Sequence, residues 1–133
     1  MTLVVDASVV VAALIDDGAD GDWSLDLLGG DALAAPHLLP AEVASVLRRA
    51  AHAGFISGDA AALAHSDMVA LPVEYFDYAP FAERVWALRR NISSFDAWYV
   101  ALAEGLGSGL ATLDTRLASA TGPVCRFVLP RSP

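Results

Sequence analysis

The stretch "TLVVDASVVVAALI", residues 2 to 15, reads as a short β-strand that closes on Asp6 and runs directly into the helix "SVVVAALI". The same pattern returns near the other end of the chain, where "LATLD" is a strand closing on Asp114 and "TRLASA" a short helix behind it. Between them lie the strand candidates "ALAAP" and "PVEYF", and "CRFVL" follows as a last one. Longer helical patterns separate the strands: "DWSLDLLG", "LPAEVASVLRRAAHAG", "SGDAAALAHSDMVAL", "PFAERVWALRRN" and the run that begins "SSFDAWYVALAE" at Ser93. Pro40 fits the first helical position of the second of these, and Gly54 its stop. This alternation predicts an α/β fold with a mostly parallel central sheet of about five strands and helices on both faces.

The chain of 133 residues fits one domain, expected over residues 1–129, with 130–133 as a frayed C-terminal tail. A hydrophobic content of 56% supplies a core without staples, and the single cysteine, Cys125, lies in an apolar run, where a buried side chain is expected. "TLVVDAS" has no basic segment before an apolar one, and no apolar run reaches the roughly 18 residues of a membrane span. A soluble, cytoplasmic protein without a membrane partner is therefore expected. The formal net charge is −8, and all eight basic residues are arginine. Such a chain repels phosphate backbones, so any nucleic acid must bind locally and with help from a metal.

In open α/β sheets, ligands collect beyond the carboxyl ends of the strands. Asp6 and Asp114 lie there, while Glu42 and Asp96 fall in first turns of helices. Each has an ordinary alternative as a helix cap or as an acid facing the positive end of a helix dipole. Asp96 is harder to assign in this way. A serine already caps its helix, "AWYVALA" is apolar on nearly every side, and no arginine lies within a turn. Convergence of the four acids would raise their pKa values by mutual repulsion, and a hard divalent cation, Mg²⁺ or Mn²⁺, is the plainest remedy.

"VVDASVVVAAL", "PHLLPAEVASVLRR" and "ISSFDAWYVALAEGLGSGLATLDTRL" together resemble PIN-domain nucleases, in particular VapC-type toxins of bacterial toxin–antitoxin pairs. The resemblance spans almost the whole chain. It implies a PIN-like three-layer fold and a metal-dependent endoribonuclease that cleaves RNA with a metal-activated water, leaving a 5′-phosphate and a 3′-hydroxyl. It further implies that Asp6, Glu42, Asp96 and Asp114 form the acidic quartet, with Asp6 and Asp96 as direct ligands of Mg²⁺ (or Mn²⁺) and Glu42 and Asp114 binding directly or through water. Ser8, Thr112 and Arg116 match supporting positions. A homodimer and a VapB-type antitoxin are the implied partners. The acid that often follows the fourth one is absent, since Thr115 and Arg116 stand there, which leaves the number of metals open. The alternative from another class is a non-catalytic PIN-like protein-binding module whose acids only cap helices. Cleavage by paired histidines fits poorly, because His37, His52 and His65 share no position after strands.

Overall fold

The structure, a computed structural model, describes residues 1–131. Five strands form one sheet: β1 (Thr2–Val5), β2 (Ala32–Pro36), β3 (Val73–Phe76), β4 (Gly109–Ala111) and β5 (Phe127–Val128). Their order is β3-β2-β1-β4-β5, and every pairing is parallel. The most apolar strand takes the centre: Leu3, Val4 and Val5 are buried, with β1 in register with β2 through Leu3↔Leu33 and with β4 through Leu3↔Gly109. Parallel strands buried on both faces read as continuous apolar runs, which is why "TLVV" does not alternate.

Among the described residues, seven α-helices connect the strands: α1 (Ala7–Ile15), α2 (Ala19–Leu28), α3 (Leu39–His52), α4 (Gly58–Ala70), α5 (Ala82–Ala87), α6 (Ser94–Leu106) and α7 (Thr115–Ala118). Helix α1 packs on α2, α3 and α4, whereas α6 packs on β1, β2 and β4 with α5 beside it. Right-handed crossovers place these two groups on opposite faces of the sheet. Helix α6 is the buried helix that its composition predicts, with Ala97, Tyr99, Val100, Ala101, Leu102 and Ala103 all inside the core.

Several boundaries differ from those expected. Leu39 opens α3, so Pro40 occupies its second position; either is a place where the missing N–H costs nothing. "PFAERVWALRRN" is not one helix: Ala79–Phe81 is a 3₁₀ turn, and α5 ends at Ala87. The Arg89 guanidinium donates to the Trp86 carbonyl and also lies 4.7 Å over the Trp86 ring, closing the helix early. "LATLD" is strand only as far as Ala111; the Thr112 amide still bonds the Val128 carbonyl of β5, and Leu113 and Asp114 turn away beyond it. Gly54 ends α3 as expected, with a φ of +81° that only glycine adopts without strain. The expected fraying of residues 130–133 falls partly outside the described residues.

The Arg84 guanidinium forks onto Glu104 at 2.7 and 3.2 Å and also donates to the Gly122 carbonyl. Burial alone would raise the Glu104 carboxyl, but Arg84 and the Val124 amide together bring it below its ordinary value. Arg84 is therefore a tie between α5, α6 and the segment before β5. Burial, with Glu104 nearby, pushes the half-buried Cys125 thiol up to about 11, which makes it an inert packing group.

Candidate metal centre

The chain leaves β1 toward β2 on one side and β4 toward β5 on the other, so a crevice opens between β1 and β4 at their carboxyl ends. Asp6 is the first residue beyond β1. Its amide donates to the Ala111 carbonyl at 3.1 Å, which extends the β1–β4 ladder to the crevice. The side chain is 8% exposed and fully engaged. Oδ1 accepts from the Ser8 amide at 2.9 Å and from the Ser8 hydroxyl, while Oδ2 accepts from the hydroxyl of the fully buried Thr112. Burial raises the Asp6 carboxyl above its ordinary range, and these hydroxyl and amide donors hold it partly down.

Ser8 and Thr112 also organise the opposite rim. The Leu113 amide donates to Ser8 Oγ at 3.0 Å, and the Asp114 amide donates to Thr112 Oγ1 at 3.0 Å. Thr112 is itself pinned to β5 through its amide and the Val128 carbonyl. Two small hydroxyl side chains thus join the turn after β1 to the turn after β4. Asp114 caps α7, accepting from the Arg116 and Leu117 amides at 3.0 and 3.3 Å through Oδ1 alone. The Arg116 side chain is 94% exposed at the rim, 3.8 Å from Asp114.

Asp96 and Glu42 enter from two helices. Ser93 caps α6, its hydroxyl accepting the Asp96 amide at 3.1 Å, so the Asp96 carboxyl is not needed as a cap. Its half-buried carboxyl is raised by burial first and by the charge of Asp114 second, with Ser93 and Arg116 opposing. Asp96 and Asp114 line one cleft of about 150 Å³ together with Asn91, Ile92, Arg116, Leu117 and Ala120. Glu42, in the first turn of α3, is raised by burial, then by Asp6 and Asp96, against the Tyr99 hydroxyl that donates to its Oε1 at 2.6 Å. Asp6 and Asp96 thus act on Glu42, and Asp114 acts on Asp96. Burial contributes more than the mutual repulsion anticipated from sequence.

The cap alternatives also hold: Asp6 and Asp114 both cap helices while facing the crevice. Among the described residues, no three acids, imidazoles or thiolates form a ready-made cage for an ion. The donor set is nonetheless one of hard oxygens, and Mg²⁺-like ions use one or two carboxylates and keep several waters rather than occupying an all-protein cage. The residues present fit such an ion. His37 pairs with Asp77 at 3.2 Å and stacks on Tyr75, while His52 and His65 are exposed, so no histidine pair forms. Tyr99 escaped the sequence analysis. It lies three residues after Asp96, on the same face of α6, a spacing visible in the sequence once Glu42 is known to lie opposite.

Comparison with known proteins agrees with this fold. Residues 3–123 match the PIN domain family. The chain is 42% identical over 129 residues to Ribonuclease VapC1 of Mycobacterium tuberculosis, covering 96% of this chain and 97% of that protein. Its fold is similar to the crystal structure of Mycobacterium tuberculosis VapC20, a Sarcin-Ricin loop cleaving toxin, with a TM-score of 0.67, 18% identity and coverage of 88% and 93%. It is also similar to VapBC-5 from Mycobacterium tuberculosis, a member of the VapBC family of toxin-antitoxin systems, with a TM-score of 0.59, 24% identity and 98% of both chains covered. A five-stranded parallel sheet, a match over most of its length and a 42% identical ribonuclease relative place this chain in the PIN-domain family.

Proposed function

We propose that this protein is a metal-dependent endoribonuclease and the toxin of a VapBC-type pair. The observation that carries this is electrostatic linkage between acids of separate segments: burial raises Asp6, Glu42 and Asp96, Asp6 and Asp96 raise Glu42 further, and Asp114, which shares a cleft with Asp96, raises Asp96 further. Unpaired acids are costly in such a place, and a cation relieves the cost. The names of its ribonuclease relatives support RNA as substrate.

Asp6 and Asp96 would hold Mg²⁺ or Mn²⁺, with Glu42 and Asp114 joining directly or through water. When bound, the ion supplies acidification of water and neutralisation of charge on the scissile phosphate. Ser8 and Thr112 fix the two Asp6 oxygens, so this carboxylate needs no reorganisation. Arg116 stands at the rim, free to meet an approaching phosphate. Glu42 or Asp114 would orient the attacking water and accept its proton. Arg84 is withdrawn from substrate contact by Glu104, whereas exposed Arg48 and Arg49 on α3 remain available.

A VapB-type antitoxin partner is supported by the VapBC likeness and by two adjoining grooves that share Ala7 and Val46. One, of about 640 Å³, is lined by Val11, Ala12 and Ile15 of α1; the other runs past Arg49 and Phe95 to Glu42. A homodimer fits the exposed apolar side chains Phe55, Leu63 and Val69. The bounds of the domain at residues 1–129 belong to the same proposal, as does a cytoplasmic location; among the described residues, no helix is long and apolar enough to cross a membrane.

Discrete new 5′-phosphate ends in total cellular RNA, formed with Mn²⁺ but not with chelator and lost in Asp96→Asn, are the expected result. Folded, partner-free protein that cuts nothing would instead favour the binding module, a reading that the two capping aspartates and the lack of a ready-made cage support.

A second expectation concerns pH. Because the native Asp6, Glu42 and Asp96 carboxyls are raised above their unfolded values, the cation-free protein gains stability as pH falls through the raised values. The cation competes with those protons. The rise in Tm on adding Mn²⁺ should therefore be largest at neutral pH and shrink steadily toward the ordinary carboxylate range. A pH-independent rise would show that these acids are not the ones that bind it.

A further inference from the structure

Tyr99 is 2% exposed, yet its hydroxyl is not idle. It donates to Glu42 Oε1 at 2.6 Å, and it is the donor that reaches Glu42 among the described residues. Packing alone would be met by phenylalanine, and a phenol buried without a partner is costly. The contact joins helices distant in sequence: Tyr99 follows Asp96 by one turn of α6, which is anchored on the sheet, while Glu42 rides on α3. Burial and the charges of Asp6 and Asp96 both disfavour the charged form of Glu42. A single short hydrogen bond opposes them.

We propose that Tyr99 is a positioning residue whose hydroxyl holds Glu42 so that it joins Asp6 and Asp96, directly or through water, in receiving a divalent cation. This rests on the metal-centre proposal above. Partners that orient ligands in this way change metal affinity by about 10- to 100-fold when removed.

The test is direct Mn²⁺ binding without RNA, followed by the electron paramagnetic resonance of free Mn²⁺, for the wild type, Tyr99→Phe, Glu42→Gln, the double variant and Asp96→Asn. Tyr99→Phe should weaken binding about tenfold. In the Glu42→Gln background the same change should do nothing more, because the hydroxyl acts through Glu42. Equal losses in both backgrounds would mean a general disturbance of the core and overturn the proposal. So would unchanged affinity in Tyr99→Phe while Asp96→Asn loses binding, an outcome that leaves the metal centre standing. Glu42→Gln keeps an acceptor for the phenol, so it tests the proposal even where Tyr99→Phe folds poorly: full Mn²⁺ affinity in that variant overturns it. Wild-type protein that binds no Mn²⁺, or Asp96→Asn that binds it as well as wild type does, would remove the metal centre and this inference together.

Discussion

Asp6→Ala is expected to abolish RNA cleavage and to lower stability by about 3 kcal/mol, measured as a fall in the urea midpoint with an unchanged slope. The two losses have separate origins. Alanine removes the α1 cap, worth roughly 0.5–2 kcal/mol, and leaves the hydroxyl of the fully buried Thr112 without its acceptor, at about 1–3 kcal/mol. Relief from a buried charge returns part of this. Asp6→Asn keeps an acceptor oxygen and the side-chain volume, so it should lose cleavage as completely while losing less stability. Asp96→Asn provides the contrast: its helix is capped by Ser93, and removing one charge from among three neighbouring acids should leave cation-free stability unchanged or raised. Cleavage by Asp6→Ala within tenfold of wild type would remove Asp6 from the site. A large stability loss in Asp96→Asn would mean that its carboxylate is structural.

Gly21→Ala is expected to destabilise by about 3 kcal/mol with no change in cleavage per folded molecule. Gly21 is buried in the first turn of α2, where α2 packs on α1, and a Cβ there would lie 1.8 Å from the Asp16 carbonyl oxygen and 3.1 Å from that of Ala12. Both obstacles are backbone, so no side-chain rotation relieves them, and the two helices must separate. None of the four acids rides on α2. Urea unfolding gives the energy, and cleavage normalised to folded protein tests the separation of fold from site. A variant as stable as wild type would show that α2 tilts freely, and loss of specific activity would show that α1 carries the strain to Asp6.

The parts of this molecule that local chemistry writes were legible in the sequence. The apolar run of β1, the proline and glycine bounding α3, and the all-round apolar surface of α6 identify their elements because each depends on neighbours within a turn or two. The positions of the four acids followed from the strand ends and first turns. What sequence did not supply is partnership across distance. That Thr112 would take an Asp6 oxygen depends on the register of β4 beside β1, and that Tyr99 would reach Glu42 depends on how α3 lies against α6.

The central pairing of β1 with β4 has a bearing on how the protein is made. Asp6 and Thr112, which meet at the crevice, are 106 residues apart, and Glu42 must wait for Tyr99. A chain still on the ribosome displays Asp6 behind β1 and Glu42 on α3, then needs several more seconds, at roughly 5–20 residues per second, before Asp96 and Asp114 emerge. Nonlocal parallel pairing is also slow to form. The crevice that Asp6 and Thr112 close therefore forms only after most of the chain has emerged.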